Sequence, residues 1–156
     1  MKLLALIVVC CTMSLVISQA VSSKELSRPS AATGDYRIGE PLRGSTVGNT
    51  LARACGNCHS NETRWPWYSQ MAPISWWIEN HVREGRAELN FSQWPTYSLR
   101  RKRDQLESIC GVISMGKMPP ATYTAVHPEA RLAAGDKEAV CAWTKAEIER
   151  EKLAPR

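Results

Sequence analysis

Apolar positions in this chain form one unbroken run and then several spaced clusters. The run lies at the amino end, from Leu3 to Cys11 and on through Thr12 to Ile17, directly after Lys2. A cationic residue, an apolar stretch short of the roughly twenty residues of a membrane span, and small residues at Ser18 and Ala20 make a secretory leader cut after Ala20. The expected leader is therefore 1–20, with an uncleaved anchor as its alternative. Cys10 invites a lipoprotein reading, but Val9 stands where a small residue is expected. Residues 21–44 are polar, with Ser, Pro and Gly scattered through them, and read as a flexible arm.

From 45 to 150 the apolar residues recur at helical spacing. Val47, Leu51 and Ala54 predict a helix running into Cys55. Pro66 and Pro73 make 61–72 a loop. Ser75 is the expected cap of a helix carrying Trp76, Trp77, Ile78 and Val82, which Gly85 closes or bends. Asp104 is the expected start of a third helix with Leu106, Ile109, Val112 and Ile113, ended by Pro119 and Pro120. Asp136 is the expected cap of a final helix through Val140, Trp143 and Ile148. No strict alternation and no internal repeat is present, so the prediction is an all-α domain of about four helices joined by long loops.

Composition sharpens this in two ways. The formal charge is +5, and no stretch combines dense Lys/Arg with interleaved aromatics, so a nucleic-acid partner is not expected. Six Trp stand against one Phe. Indoles are large and want both burial and an N–H partner, so the run from Trp65 to Trp94 suggests either a tight small core or a flat apolar object to pack against. Arg100-Arg101-Lys102-Arg103 reads as a solvated approach to a helix, with steering of an acidic redox partner as the alternative.

Cys55-Gly56-Asn57-Cys58-His59 carries the chemistry. It is C-x-x-C-H, the pattern of covalent haem attachment: two thiols three residues apart on a helical turn reach the two vinyl groups of one haem, and the next residue offers imidazole to the iron. A zinc ribbon would need a second ligand pair at matching spacing, which Cys110 and Cys141 do not form. A thioredoxin-like motif would sit beside a βαβ pattern, which is missing. The expected cofactor is one covalently bound haem c. Candidates for the sixth iron ligand are Met118, Met115, Met71, His81 and His127. Met118 is favoured because Pro119 and Pro120 fix an extended loop that presents its thioether at one place. Met115 falls on the third helix, and His81 and His127 read better as ordinary histidines. Arg64 and Arg86 are candidates to pair with haem propionates, against a plain surface reading.

With these residues in view, the chain resembles the bacterial haem-binding domain family of small class I-like c-type cytochromes. The matching text is CGNCHSNETRWPWYSQMAPISWWIENHVREGRAELNFSQW, from Cys55 to Trp94, and GKMPPATYTAVHPEARL, from Gly116 to Leu132. The resemblance covers roughly Gly44 to Trp143. It implies a class I cytochrome c-like fold, covalent haem c on Cys55 and Cys58, His59 as proximal ligand, Met118 in its G-x-M-P segment as distal ligand, and a periplasmic setting. Cys110 and Cys141 fall outside that family pattern. They lie on the third and final helices, which commonly pack together in this fold, and a disulfide is expected between them.

The functional expectation follows from ligation. Iron held on both sides has no open site for a substrate, so the chain reads as a one-electron carrier and not an enzyme. Its expected partners are redox proteins, including a membrane respiratory complex to which the amino terminus would tether it, with no small-molecule substrate. The alternative is a haem sensor or peroxidase-like enzyme, which needs a displaceable sixth ligand.

Overall fold

The computed structural model describes residues 7–14 and 44–153. Of the expected leader, 7–14 are helical and exposed (α1); the rest of 1–20 and the arm to residue 43 lie outside the described residues. Five further α-helices follow: α2 (Thr46–His59), α3 (Ile74–Glu88), α4 (Leu99–Ser114), α5 (Ala121–Val126) and α6 (Ala134–Leu153), with 3₁₀ turns at Trp67–Gln70, Phe91–Thr96 and Pro128–Ala130. No strand occurs among the described residues, so the all-α expectation holds. Among them, no helix is long and apolar enough to cross a membrane.

α2 begins where a hydroxyl can cap it. Ser45 Oγ accepts from the Gly48 N–H at 3.0 Å, and the apolar stripe buries Leu51 and Ala54. The other helix starts differ from the sequence reading in instructive ways. α3 starts behind Pro73, whose locked φ suits a first turn; Ser75 therefore lies inside the helix and buried, with its Oγ unpartnered. α4 starts at the Ser98 cap, whose Oγ accepts from the Arg101 N–H at 3.3 Å. Arg100 to Arg103 thus lie inside its first turns, with the three arginines exposed and Lys102 half-buried, instead of leading up to it. Four cations beside a helix amino end oppose the helix dipole, which is why the pattern pointed to Asp104. Asp136 is the third residue of α6, not its cap. Its Oδ2 reaches back to the Ala133 N–H at 3.0 Å, as the acid of a capping box does. α5 falls in one of the long loops that the apolar spacing predicts, because six residues between prolines carry no usable periodicity.

One apolar core joins these elements. Leu51, Leu89, Phe91, Trp94, Tyr97, Leu106, Ile109, Ile113 and Val140 form a continuous buried cluster. α4 and α6 make the most extensive helix pair, and a disulfide joins Cys110 to Cys141 across it, with Cα atoms 4.9 Å apart. The aromatic run divides: Trp94 enters the core, while Trp67, Trp76 and Trp77 are exposed. The next most extensive helix contact is α2 on α3, and Gly85 permits it. A Cβ there would stand 3.0 Å from the Cys58 carbonyl oxygen, so this glycine neither closes nor bends α3 but lets it approach.

Candidate functional site

The last turn and a half of α2 holds Cys55 to His59. Residues three apart on a helix share a face, so Cys55 and Cys58 stand one turn apart. Both thiols are free and both line a cavity of about 600 Å³, within the ~300–1,000 Å³ of small-molecule and cofactor sites. Burial pushes the Cys55 thiol up to about 12, with Cys58 adding to the rise and Arg53 opposing it. Burial also raises Cys58, against the pull of Arg86. The pair is therefore protonated and neutral at ordinary pH. Redox-active thiols have lowered values, so a thiol–disulfide role does not suit this surrounding. Among the described residues, no group of three or more His, Cys, Asp or Glu side chains is placed to hold a metal ion.

His59 is placed by the end of α3. Its Nδ1 lies 3.1 Å from the carbonyl oxygen of Leu89, the C-cap residue. A carbonyl only accepts, so Nδ1 carries the proton and Nε2 keeps its lone pair. Burial lowers the affinity of the ring for a second proton, opposed by the Leu89 and Gly85 carbonyls and by Glu88. The turn behind Leu89 is itself fixed: the Asn90 N–H donates to Tyr97 Oη at 3.0 Å, and Asn90 Nδ2 donates to Asn61 Oδ1 at 2.8 Å. Phe91 presents its edge to the imidazole, 6.4 Å between ring centres.

The cavity wall away from α2 comes from Ile109, Val112 and Ile113 of α4, then Met118, Pro119, Pro120 and Tyr123. Gly116, with φ of 67°, ends α4 in a left-handed residue. The Lys117 N–H then returns to the Val112 carbonyl at 2.9 Å and the Gly116 N–H to Ile113 at 3.0 Å, a double closure that turns the chain into the cavity wall. The Met118 N–H bonds the same Val112 oxygen at 3.3 Å.

Cys55, Cys58, His59 and Met118 are thus brought to one cavity. Of the other sixth-ligand candidates, His81 also lines it; its Nδ1 donates to the Trp77 carbonyl at 3.0 Å. Met71, Met115 and His127 lie off the cavity, as do Arg64, Arg86 and every Trp. Arg86 is spent elsewhere, on the Ser60 carbonyl at 2.8 Å and Thr63 Oγ1 at 2.9 Å. The Trp run therefore does not wall the cavity, whose lining mixes aliphatic side chains with Phe91 and Tyr123 and with the polar Glu84, Glu88 and Gln105. Sequence reasoning missed Leu89, which acts through its backbone, and Tyr123. Tyr123 Oη accepts from Asn57 Nδ2 at 2.8 Å, a link hidden in a variable position of the motif.

A family model described as a haem-binding domain matches residues 13–146. No curated protein and no solved structure matches the chain. The residues present fit a haem: a mostly apolar cavity of adequate size, two neutral thiols on one helical face, an imidazole nitrogen left free beside them, and a thioether on the cavity wall.

Proposed function

The chain belongs to the haem-binding domain family, and from that premise we propose that it is an exported monohaem c-type cytochrome carrying single electrons. The observation that carries this is the convergence of Cys55, Cys58, His59 and Met118 on one cavity, from segments far apart in the chain.

Cys55 and Cys58 hold the cofactor covalently through thioether bonds. Their burial favours the neutral sulfur that a thioether retains. His59 is the proximal ligand: the Leu89 carbonyl fixes its tautomer and ring orientation, the usual work of an outer hydrogen bond on a ligating histidine. Met118 is the distal ligand. The haem iron supplies a one-electron couple, and methionine ligation raises its potential. Leu51, Ile109, Val112 and Ile113 give the site an apolar wall, and an apolar wall disfavours the added positive charge of the oxidised form. With His59 and Met118 both given to the iron, the protein would offer no place there for a substrate and would act as a carrier and not an enzyme. Its partners are redox proteins, among them a membrane respiratory complex, and its compartment is the periplasm, reached through the leader 1–20. Two sulfurs left for disulfide formation, Cys110 and Cys141, suit an oxidising compartment.

One observation favours the alternative of a haem sensor or peroxidase-like enzyme: His81 lies on the same cavity as Met118, and Met118 is 38% exposed. Absorption spectra of the wild type and Met118→Ala in both oxidation states separate the two. The carrier is low-spin, shows a weak sulfur-to-iron band that the substitution abolishes, and binds carbon monoxide slowly or not at all. A spectrum unchanged by Met118→Ala rejects the ligand, and rapid carbon monoxide binding by the reduced wild type favours the alternative.

A further inference from the structure

On the reading of Met118 as distal ligand, we propose that His127 is a latch: a positioning residue, off the cavity, that holds the distal segment in place and whose release opens the Met118 position to a small external ligand.

His127 is the C-cap of α5, the short helix that follows Met118, Pro119 and Pro120. Its ring is held on three sides. Nδ1 lies 3.0 Å from Glu129 Oε1, and Nε2 lies 2.7 Å from Tyr68 Oη. The carboxylate only accepts, so Nδ1 carries the proton, and Nε2 and the Tyr68 hydroxyl share the second hydrogen bond. The third side is Tyr123, whose ring stacks on the imidazole at 4.3 Å between centres and 27° between planes.

Tyr123 is where the latch meets the site. It lines the cavity beside Met118, and Asn57, inside the attachment motif, holds its hydroxyl at 2.8 Å. The distal segment is thereby pinned to two others: the end of α2 through Asn57, and the 3₁₀ turn at Tyr68 through His127. Between Met118 and the latch the chain is two prolines and one short helix. The prolines fix φ at two of the positions between them, so little of the chain there is free to absorb a displacement at His127. Upstream, the Met118 N–H is held by Val112; downstream, Arg131 Nε holds the Thr124 carbonyl at 3.2 Å and Arg53 holds the Glu129 carbonyl at 2.6 Å, and His127 adds the tie that reaches Tyr68. The His127 side chain is only 18% exposed, so its hydrogen bonds are partly shielded from water.

The test uses the ferric holoprotein, imidazole as external ligand, and the sulfur-to-iron band as a reporter of Met118. His127→Leu removes both hydrogen bonds and Tyr68→Phe only one, while Glu129→Gln keeps an acceptor for Nδ1–H. Imidazole binding should strengthen roughly tenfold in His127→Leu and several-fold in Tyr68→Phe, with the band weakened, which are factors expected for one or two lost hydrogen bonds. Glu129→Gln should stay near wild type. Tyr68→Phe, the milder change, carries the test if His127→Leu does not fold. A purely structural role would lower the unfolding midpoint and leave imidazole affinity unchanged below it. Wild-type affinity with an intact band in both variants overturns the latch. A wild type that itself lacks the band overturns the ligand assignment on which the latch stands.

Discussion

A glycine in the middle of a helix ordinarily weakens it by about 1 kcal/mol against alanine, so Gly85 needs a reason, and Cys58 supplies it. The first atom a Cβ would meet is a backbone oxygen at 3.0 Å, followed by the Cys58 Cβ at 3.3 Å. Neither can swing away as a side-chain tip does. Gly85→Ala should therefore destabilise the holoprotein by up to about 2 kcal/mol, the overpacking cost of roughly 1–3 kcal/mol less the helix-propensity gain of about 1 kcal/mol, and should lower haem occupancy because α3 also positions His59. Denaturant unfolding of the purified variant checks this; a gain of stability would show that α3 can retreat freely. Residues of this kind mark the limit of sequence reading at this scale. Cys55, Cys58 and His59 were legible because their chemistry resides in side chains at a fixed local spacing. Leu89 was not, since any residue has the carbonyl that orients His59. Arg64 is exposed, as its surface reading has it, while the demand of Ser60 and Thr63 on Arg86 exists only once α2 and α3 are packed.

Among elements, the contact between α2 and the start of α6 is the one that titrates. Asp136 accepts from Arg53 at 2.7 Å, from the Ala133 N–H at 3.0 Å and from Thr50 Oγ1 at 3.3 Å. The Arg53 hydrogen bond chiefly, then the Ala133 N–H, holds its carboxyl below the ordinary aspartate value. A carboxylate depressed in the folded state stabilises it above its unfolded value and loses that contribution as pH falls through the folded one. Stability of the wild type should thus decline below about pH 4 partly through Asp136, and Asp136→Asn should flatten that limb while costing about 1 kcal/mol or less at neutral pH, since both side chains are partly exposed and screened. Thermal unfolding across pH checks it; an unchanged acid limb in the variant would assign the loss to other carboxylates. The helices themselves were legible from apolar spacing, but their starts were not. Ser75, Asp104 and Asp136 each have a capping side chain, and which polar residue caps is decided by the neighbouring chain: Pro73 ahead of α3, Ser98 ahead of α4, and Arg53 drawing Asp136 into the first turn of α6.

For the molecule as a whole, the disulfide and the cavity serve separate ends. Cys110 and Cys141 clamp α4 to α6, closing a loop of 31 positions, and neither sulfur lines the cavity. Replacing both by serine should cost about 3–4 kcal/mol by loop-closure reasoning while leaving the visible spectrum of the folded holoprotein unchanged. A shifted spectrum would mean that the α4 wall sets the ligation. The covalent cofactor is the larger account, and it is the one that a single experiment addresses most directly. The mature protein, produced in a host able to make c-type cytochromes and examined under denaturing conditions by intact mass and absorbance, should be coloured and heavier than its polypeptide by one haem, and Cys55→Ala/Cys58→Ala should lose that added mass. A colourless wild type with the mass of the bare chain would contradict the assignment.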